Sequence, residues 1–317
     1  MKVAYLTHSY PVYSQTFSVD EVRRVRTKGV RLYVFSIKKP DPALVTDLLQ
    51  PDFERTSFLR PVPILRFLRA NVRMPITQPA SYFRTAFRCI RANSVSVLQA
   101  LKGVLHFLEA VELGERLVHK NFDCLHIQFA DTAATYAAVV HHLYKLPYSV
   151  AVHAHDIFEH RYTDRLVAFR IGDAEWIRVI SEFNRKFLHE KTGIDANHIE
   201  VVRCGIDVSK LRRSTAREKD ARKLIVSVGR LVPYKGHDIL IRACRQLKDQ
   251  GVDLACKIVG DGPEHTALSR LILELNLQDT IELVGVLPHS EICRILDIAT
   301  VFALACRRAD DGAMDGI

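Results

Sequence analysis

The pattern that most constrains the fold begins at Leu224, where short apolar runs alternate with amphipathic segments of helical length. The runs at 224–228, 255–259, 281–284 and 301–304 are typical of buried strands, and the segments 237–249, 264–275 and 290–298 have helical spacing of their apolar residues. Strands separated by helices need crossover connections, which make the sheet parallel. Because such sheets bind ligands at the carboxyl ends of their strands, a ligand site is predicted at that edge.

The first 200 or so residues show the same alternation. Candidate strands are Lys2–Leu6, Val30–Ile37, Cys124–Ile127, Tyr148–Val152, Ile177–Ile180 and Ile199–Val202. Ser181 is placed to cap a helix over Glu182–Lys191. A chain of 317 residues is long enough for two domains, and the charged stretch 210–223 marks the start of the second. We predict two Rossmann-like α/β domains, residues 1–203 and 204–317, that face each other across a cleft.

Composition excludes several classes of protein. Hydrophobic residues make up 48% of the chain, but no apolar run reaches the roughly 18 residues of a spanning helix. The N-terminus MKVAYLTHSYP turns polar too early for a signal peptide, so a cytoplasmic location is predicted. The seven cysteines form no C-x-x-C pair and have no zinc-like spacing with histidine. Reduced thiols and no metal site are expected.

Much of the net charge of +9 lies in a basic amphipathic insert at residues 52–92. Its arginines interleave with aromatic and aliphatic residues: Arg60, Arg66, Arg69, Arg73, Arg84 and Arg88 alternate with Phe58, Leu65, Phe67, Leu68, Phe83 and Phe87. Three interpretations fit this mixture: an anionic membrane surface, nucleic acid, or helices packed on the domain with a solvated basic face. We favour the inner-membrane surface and predict no nucleic acid partner, because the acceptor inferred below is carried on lipid.

The segment VSVGRLVPYKG (226–236) sets Arg230 and Lys235 on a short loop that follows a strand and is closed by Gly236. A planar guanidinium and a mobile ammonium suit two adjacent phosphates, although two solvated charges beside an ordinary turn fit the same pattern. One strand later, KIVGDGPE contains Gly260 and Gly262. These glycines let backbone approach a ligand at a helix start whose bare N–H groups favour an anion, although a tight turn also explains them. Together the two segments predict a nucleotide-sugar site.

Over its whole length the chain resembles the retaining glycosyltransferases of family 4, which have the GT-B fold. The resemblance rests on VSVGRLVPYKG, KIVGDGPE, IELVGVLPHSEI and VVRCGID. Two further segments, SYPVYSQTF and HAHDIF, are similar to the branch that assembles bacterial exopolysaccharide and lipopolysaccharide, of the colanic-acid type.

The resemblance implies that Arg230 and Lys235 neutralise the donor diphosphate and stabilise the charge that grows on it as the glycosidic bond breaks. Gly236, Gly260 and Gly262 are implied at the same donor site. In a retaining transfer without a covalent partner, stabilising the leaving group is the main contribution of the protein. The two cations replace a divalent metal, so neither a metal nor a cofactor is expected.

The resemblance also implies roles at the end of the strand Tyr148–Val152. The His153 imidazole is expected to bond a donor-sugar hydroxyl, while its backbone carbonyl stabilises positive charge at the anomeric carbon. His155 and Asp156 are expected on the acceptor side. Gln128 stands where the family often has a histidine and receives no catalytic role, and Glu21 is expected to be an ordinary exposed helix residue.

The loop SYPVYSQTF lacks the paired glycines with which many relatives approach the diphosphate. Ser14, Gln15 and Thr16 are expected to donate hydrogen bonds to phosphate or to the acceptor in their place.

The chain ends at DDGAMDGI. Asp315 falls where the family has the first of two carboxylates that contact the donor, and we expect it to hold a sugar hydroxyl. The second carboxylate has no counterpart. The expectation is therefore a truncated second domain, from a fragment or a prematurely ended reading frame.

The leading hypothesis is a retaining glycosyltransferase that moves a sugar from a UDP- or GDP-sugar to a lipid-linked glycan acceptor, in surface polysaccharide biosynthesis, at the cytoplasmic face of the membrane. A truncated, catalytically inactive protein that binds nucleotide sugars is the alternative, supported by the missing carboxylate. A nucleotide-sugar epimerase of the same architecture is a third hypothesis, which the GRLVPYKG segment disfavours.

Overall fold

The computed structural model describes residues 1–12, 15–42, 45, 47–160, 162–205 and 222–315. Its Cα positions group into two compact units, Met1–Cys204 and Gly205–Asp315, called here the N-terminal and C-terminal units. Each unit contains a parallel sheet with helices, as the alternation of strand and helix patterns predicts. In the described part of the chain, no helix is long and apolar enough to cross a membrane.

The described strands of the N-terminal unit form a seven-stranded parallel sheet in the order β3-β2-β1-β4-β5-β6-β7. They are β1 (Lys2–Ser9), β2 (Arg31–Lys38), β3 (Ser57–Phe58), β4 (Cys124–Gln128), β5 (Tyr148–Val152), β6 (Trp176–Val179) and β7 (Ile199–Val201). β1 runs three residues beyond the predicted end at Leu6, because Thr7 and Ser9 still pair with Ser36 and Lys38 of β2. The strand order reverses between β1 and β4, and this position is where parallel sheets bind ligands.

Helices connect these strands. They are α1 (Thr16–Thr27), α2 (Gln50–Glu54), α3 (Ile64–Thr77), α4 (Pro79–Asn93), α5 (Val97–His119), α6 (Thr132–Tyr144), α7 (His155–Phe158), α8 (Asp164–Ile171) and α9 (Glu182–Thr192). The Ser181 hydroxyl accepts a bond from the Asn184 N–H at 3.2 Å, which confirms the predicted cap of α9. The basic insert consists largely of α3 and α4, and both helices contact α5.

The described strands of the C-terminal unit form a parallel sheet in the order β10-β9-β8-β11. Its strands are β8 (Lys223–Val228), β9 (Leu254–Val259), β10 (Ile281–Gly285) and β11 (Val301–Phe302), and its helices are α10 (His237–Asp249), α11 (His265–Glu274) and α12 (His289–Ile298). α10 buries Leu240, Ile241 and Cys244 against β9, as its helical spacing predicts. β11 is shorter than predicted, because only two of its residues pair with β8.

Candidate active site

The loop between β8 and α10 carries the two predicted phosphate-binding cations. Its backbone crosses the end of β9, where the Gly229 N–H donates to the Val259 carbonyl and the Leu231 N–H to the Asp261 carbonyl, both at 3.0 Å. Leu231 is fully buried in the core. This anchor leaves Arg230 exposed, with no ion pair to any residue that the structure describes. Lys235 ends a 3-10 turn over Pro233–Lys235.

Gly236, Gly260 and Gly262 are required by close backbone packing within this unit. Gly236 has φ +65°, and a Cβ there would overlap the carbonyl of Ala305. A Cβ on Gly260 or Gly262 would overlap the carbonyls of Gly229 or Leu231 in the adjacent loop. The backbone approach predicted toward a ligand is therefore an approach to the neighbouring loop, and donor contact by these glycines stays a prediction.

The sequence predicts bare amides where the chain enters α11, but the amides in the turn before this helix are hydrogen-bonded. The Gly262 N–H donates to the Asp261 carboxylate at 2.7 Å. The N–H groups of Glu264 and His265 donate to the carbonyls of Leu231 and Gly262, each at 3.1 Å. The Glu264 bond ties the turn to the Arg230 loop, and these three amides are already paired.

Lys235 and Asp315, which the sequence predicts at the donor, lie together. The Lys235 Nζ atom is 2.7 Å from Asp315 Oδ2, with side chains 19% and 25% exposed. The same oxygen accepts from the Cys306 thiol at 2.8 Å. Partial burial and this carboxylate raise the pKa of Cys306 to about 11, so the thiol stays protonated at neutral pH. The segment is held against the loop by the Arg307 N–H, which donates to the Tyr234 carbonyl at 2.9 Å.

His153 follows β5 at the carboxyl edge of the N-terminal sheet and is only 6% exposed. Its N–H donates to Asp156 Oδ1 and Oδ2 at 3.1 and 3.2 Å, and its carbonyl accepts from the Asn184 side-chain amide. The Ala130 N–H donates to Asp156 Oδ2 at 2.8 Å. Asp156, predicted to shape the acceptor side, is fully buried, so it acts by fixing the backbone at the ends of two strands. The His153 carbonyl, assigned to the anomeric carbon, already accepts one bond.

The His153 ring lies between Phe17 and Phe129, with centroid distances of 5.0 and 4.7 Å. Its Nε2 atom is 3.0 Å from Nε2 of Gln128, which is fully buried at the end of β4. The Gln128 amide and the His153 ring are therefore hydrogen-bonded to each other, with the donor set by the tautomer of the ring. Sequence reasoning gave Gln128 no role. β4 and β5 pair in parallel, so their carboxyl ends lie at the same edge of the sheet.

The structure describes only some of the other residues predicted on the acceptor side. Gln15 precedes α1 and its N–H donates to the Val12 carbonyl at 3.0 Å, without a side-chain cap bond. Thr16 begins α1 and is exposed. Ser14 lies outside the described residues, and for His155 the structure describes the backbone at the start of α7 but not the side chain.

Glu21 is not the ordinary exposed helix residue that the sequence suggests. Its carboxylate pairs with Arg178 of β6 at 2.7 Å and lies 3.8 Å from His126 Nε2 of β4. Burial raises the pKa of Glu21, against the opposing effect of Arg178. Burial and then the Arg178 charge lower the pKa of His126 to about 3, so its ring is neutral. This pairing joins α1 to the sheet face.

Among the described residues, no group of three or more His, Cys, Asp or Glu side chains is placed to hold a metal ion. The polar residues considered for function form two pairs instead. Lys235 pairs with Asp315 in the C-terminal unit, and His153 pairs with Gln128 in the N-terminal unit.

Two sequence profiles match the chain. The one described as Glycosyltransferase Family 4 matches residues 15–210, and the one described as Glycosyl transferases group 1 matches residues 209–314. The colanic acid biosynthesis glycosyltransferase WcaL of Salmonella typhimurium is 26% identical over 330 residues, covering 100% of this chain and 78% of that protein. WcaL of Escherichia coli is 38% identical over 128 residues, which are 40% of this chain and 32% of that relative.

The crystal structure of Anabaena Alr3699/HepE in complex with UDP has a TM-score of 0.67 to this chain at 16% identity, covering 98% of this chain and 75% of that one. This likeness confirms the predicted GT-B fold, with its parallel α/β sheets. Because the Family 4 profile covers more than half of the sequence, the chain belongs to glycosyltransferase family 4.

Proposed function

We propose that this protein transfers a sugar from a nucleoside-diphosphate sugar to a lipid-linked acceptor, with retention of anomeric configuration, in bacterial surface polysaccharide biosynthesis. The single observation that carries the proposal is the Arg230–Lys235 loop. It offers one exposed guanidinium and one ammonium at the carboxyl edge of a parallel sheet, on backbone fixed by Leu231 and Gly236. A fixed loop with two cations suits a diphosphate leaving group.

Of the two cations, Lys235 is the one whose position is already fixed by a carboxylate. Its ammonium is already ordered by Asp315, and exchanging a carboxylate for a diphosphate oxygen keeps the charge paired. Asp315 is then released to accept a hydrogen bond from a sugar hydroxyl. The loop supplies the positive charge without a metal ion. The two cations then hold the leaving diphosphate while the acceptor approaches.

His153 supplies the sugar-binding group of the N-terminal unit. The hydrogen bond to Gln128 orients its ring, and we assign the imidazole to a hydroxyl of the donor sugar. Asp156 and Asn184 fix the backbone that carries the ring. Supporting bonds of this kind hold a reactive group within the narrow tolerance that catalysis requires.

The relatives support the donor and the pathway. WcaL is named for colanic acid biosynthesis, and AmsK of Erwinia amylovora, 38% identical over 125 residues, is named for amylovoran biosynthesis. The titles of the Anabaena structures name UDP and UDP-glucose. These names support a nucleotide-sugar donor and a polysaccharide product.

The basic insert supports an acceptor at the inner-membrane surface, with the protein peripheral on its cytoplasmic face. α3 leaves a stripe of apolar side chains in water, from Leu65, which is 80% exposed, through Leu68 and Val72 to Ile76. Phe83 and Phe87 are further exposed apolar side chains, on α4. Arginines flank the stripe, and Arg69 and Arg73 share Glu115. A cationic helix with an exposed apolar face fits an anionic bilayer surface.

The test is a titration with UDP, GDP and ADP, followed by turnover with the corresponding sugar donors and a membrane extract as acceptor. We expect Lys235→Ala to weaken nucleoside-diphosphate binding and to lower turnover by about 100-fold or more, whereas Lys223→Ala, at an exposed lysine of the same unit, changes neither. Normal turnover by Lys235→Ala would contradict the proposal. Binding without turnover would favour the catalytically inactive alternative, and sugar interconversion without an acceptor would favour an epimerase.

A further inference from the structure

An open surface pocket lies wholly within the N-terminal unit, at the carboxyl end of β2. It has a volume of about 640 Å³, within the range of pockets that hold small molecules. Its lining joins the end of β2, the start of α3 and one face of α5: Lys38, Lys39, Arg60, Pro61, Val62, Ile64, Phe67, Leu105 and Glu109. None of these residues belongs to the His153 constellation or to the Arg230 loop.

The polar end of the pocket is cationic and held in place. The backbone N–H of Arg60 donates to the Ile37 carbonyl at 3.2 Å, which brings Arg60 beside the end of β2. Its guanidinium forms a two-point pair with Glu109, at 2.9 and 2.7 Å. The Lys39 ammonium lies over the ring of Phe53, 5.4 Å from its centroid. Lys38 is exposed and has no ion pair with a described residue.

The charges of this lining do not balance. Glu109 is the single carboxylate among the lining residues, and Arg60 already neutralises it. Neither lysine has an ion pair with a described residue, so both remain as cations on the lining of this open pocket. Two ammonium groups in that position favour an anion with several oxygens, such as a phosphate or diphosphate.

The remaining lining residues are apolar, and one of them is largely exposed. Pro61, Val62, Phe67, Leu105 and Ile64 form this apolar wall, in which Ile64 is 65% exposed. Ile64 adjoins the exposed stripe of α3 that begins at Leu65. A ligand held here by its anionic end would therefore lay an apolar chain along these apolar residues.

We propose that this pocket binds the phosphorylated head of an amphiphile, with Lys38 and Lys39 on the phosphate and the Ile64 wall on the chain. The inference rests on the proposed function and deepens it, because it assigns the anchoring phosphate of the lipid-linked acceptor to named residues. A phosphate on an apolar chain satisfies both walls at once. A free anion leaves the Ile64 wall in water, and a neutral lipid leaves the lysines unpaired.

The experiment is calorimetric titration of an Arg230→Ala, Lys235→Ala double variant, in which the proposed donor loop no longer competes for diphosphates. The four soluble probes are farnesyl diphosphate, dihexanoyl phosphatidic acid, inorganic diphosphate and farnesol. We expect one or both phosphorylated amphiphiles to bind at least tenfold more tightly than inorganic diphosphate and farnesol. Tighter binding of farnesyl diphosphate would identify an isoprenoid carrier, and tighter binding of phosphatidic acid an acyl lipid. Binding of inorganic diphosphate with equal affinity would overturn the proposal, because it would describe a free-anion site.

Three variants locate the binding. Lys38→Ala combined with Lys39→Ala should weaken amphiphile binding by at least tenfold, and Ile64→Ser should weaken it without changing the affinity for inorganic diphosphate. Ile64 is largely exposed, so its replacement leaves the fold intact. Lys28→Ala, at an exposed lysine outside the pocket, is the matched control. An equal loss in Lys28→Ala would overturn the assignment. The proposed function fails in a separate titration, if nucleoside diphosphates do not bind.

Discussion

The ammonium of Lys235 lies 2.7 Å from Oδ2 of Asp315, so the cation proposed to hold the donor diphosphate has a carboxylate counterion within its own unit. The pair is about four-fifths buried on the Lys235 side, which reduces screening by solvent. A bound diphosphate competes with this carboxylate for the same ammonium. The pair therefore sets part of the affinity for the leaving group.

Asp315→Asn should tighten the binding of UDP, GDP or ADP, whichever binds, by about threefold to tenfold. The substitution removes the competing negative charge and leaves the Lys235 ammonium in place. Calorimetric titration measures the change, and Asp310→Asn, at an exposed carboxylate with no described bond, is the control. Unchanged or weaker binding in Asp315→Asn would show that the carboxylate does not compete with the diphosphate.

Gln128→Leu should lower kcat by about 10-fold to 100-fold while leaving the donor KM nearly unchanged. The substitution removes the amide that fixes the His153 ring but nearly preserves the side-chain volume. It also removes the buried Gln128 Oε1 atom, which has no hydrogen-bond partner in the described structure, so little stability should be lost. Steady-state kinetics and thermal unfolding measure the two effects. A matched fall in kcat and melting temperature would indicate a purely structural role.

Much of the fold was predictable because its signal is local. The periodicity of the apolar residues predicts α10, and short apolar runs predict β8 and β9. Ser181 predicts the start of α9, because its hydroxyl can cap the helix. The loop of Arg230 and Lys235 is likewise local, since the two cations are only five positions apart. These features needed no knowledge of distant parts of the chain.

The errors concern pairings between distant residues. Glu21 and Arg178 are 157 residues apart, and nothing near Glu21 shows that a helix carboxylate will face the sheet. Gln128 and His153 are 25 residues apart on neighbouring strands. The close packing of Gly260 and Gly262 against the adjacent loop was likewise not visible in the sequence, and their contact with a donor stays a prediction. Burial and tertiary packing decide each case, and periodicity does not encode them.

His126→Asn should reduce the loss of stability in acid. The folded pKa of His126 is about 3, because burial and then Arg178 disfavour the charged ring, whereas the unfolded value is about 6.5. Between these values the unfolded chain binds more protons, so the stabilisation is complete above about pH 7 and falls as the pH falls. The loss approaches about 1.4 kcal/mol per pH unit for this one group.

Urea unfolding at pH 7.5, 6.5 and 5.5 measures this contribution as the difference between parent and variant. Asn retains a side-chain partner for the Ser149 hydroxyl, which lies 2.8 Å from His126 Nδ1. His160→Asn, at an exposed histidine, should leave the pH dependence as it is in the parent. Parallel pH profiles for His126→Asn and the parent would contradict the assignment of a neutral buried ring.

Gly236→Ala should destabilise the C-terminal unit far more than Gly251→Ala. Both glycines have positive φ, +65° and +78°, but only at Gly236 would the new Cβ overlap a backbone carbonyl, that of Ala305. Positive φ alone costs about 1–2 kcal/mol, and the overlap should bring Gly236→Ala to about 3 kcal/mol or more. Chemical unfolding measures both. Equal costs would show that the loop can move away from Ala305 without loss.

Leu65→Ser, Leu68→Ser and Val72→Ser together should abolish flotation of the protein with anionic vesicles. These side chains form the exposed apolar stripe of α3, and their replacement removes the surface available for insertion while keeping every arginine. Arg66→Ala with Arg69→Ala and Arg73→Ala should weaken flotation most at low salt, because those charges act on lipid phosphates through a screened potential. Ile239→Ser with Leu273→Ser, at exposed apolar residues of the C-terminal unit, is the control and should float normally. Flotation that survives both α3 variants would place the membrane contact elsewhere on the chain.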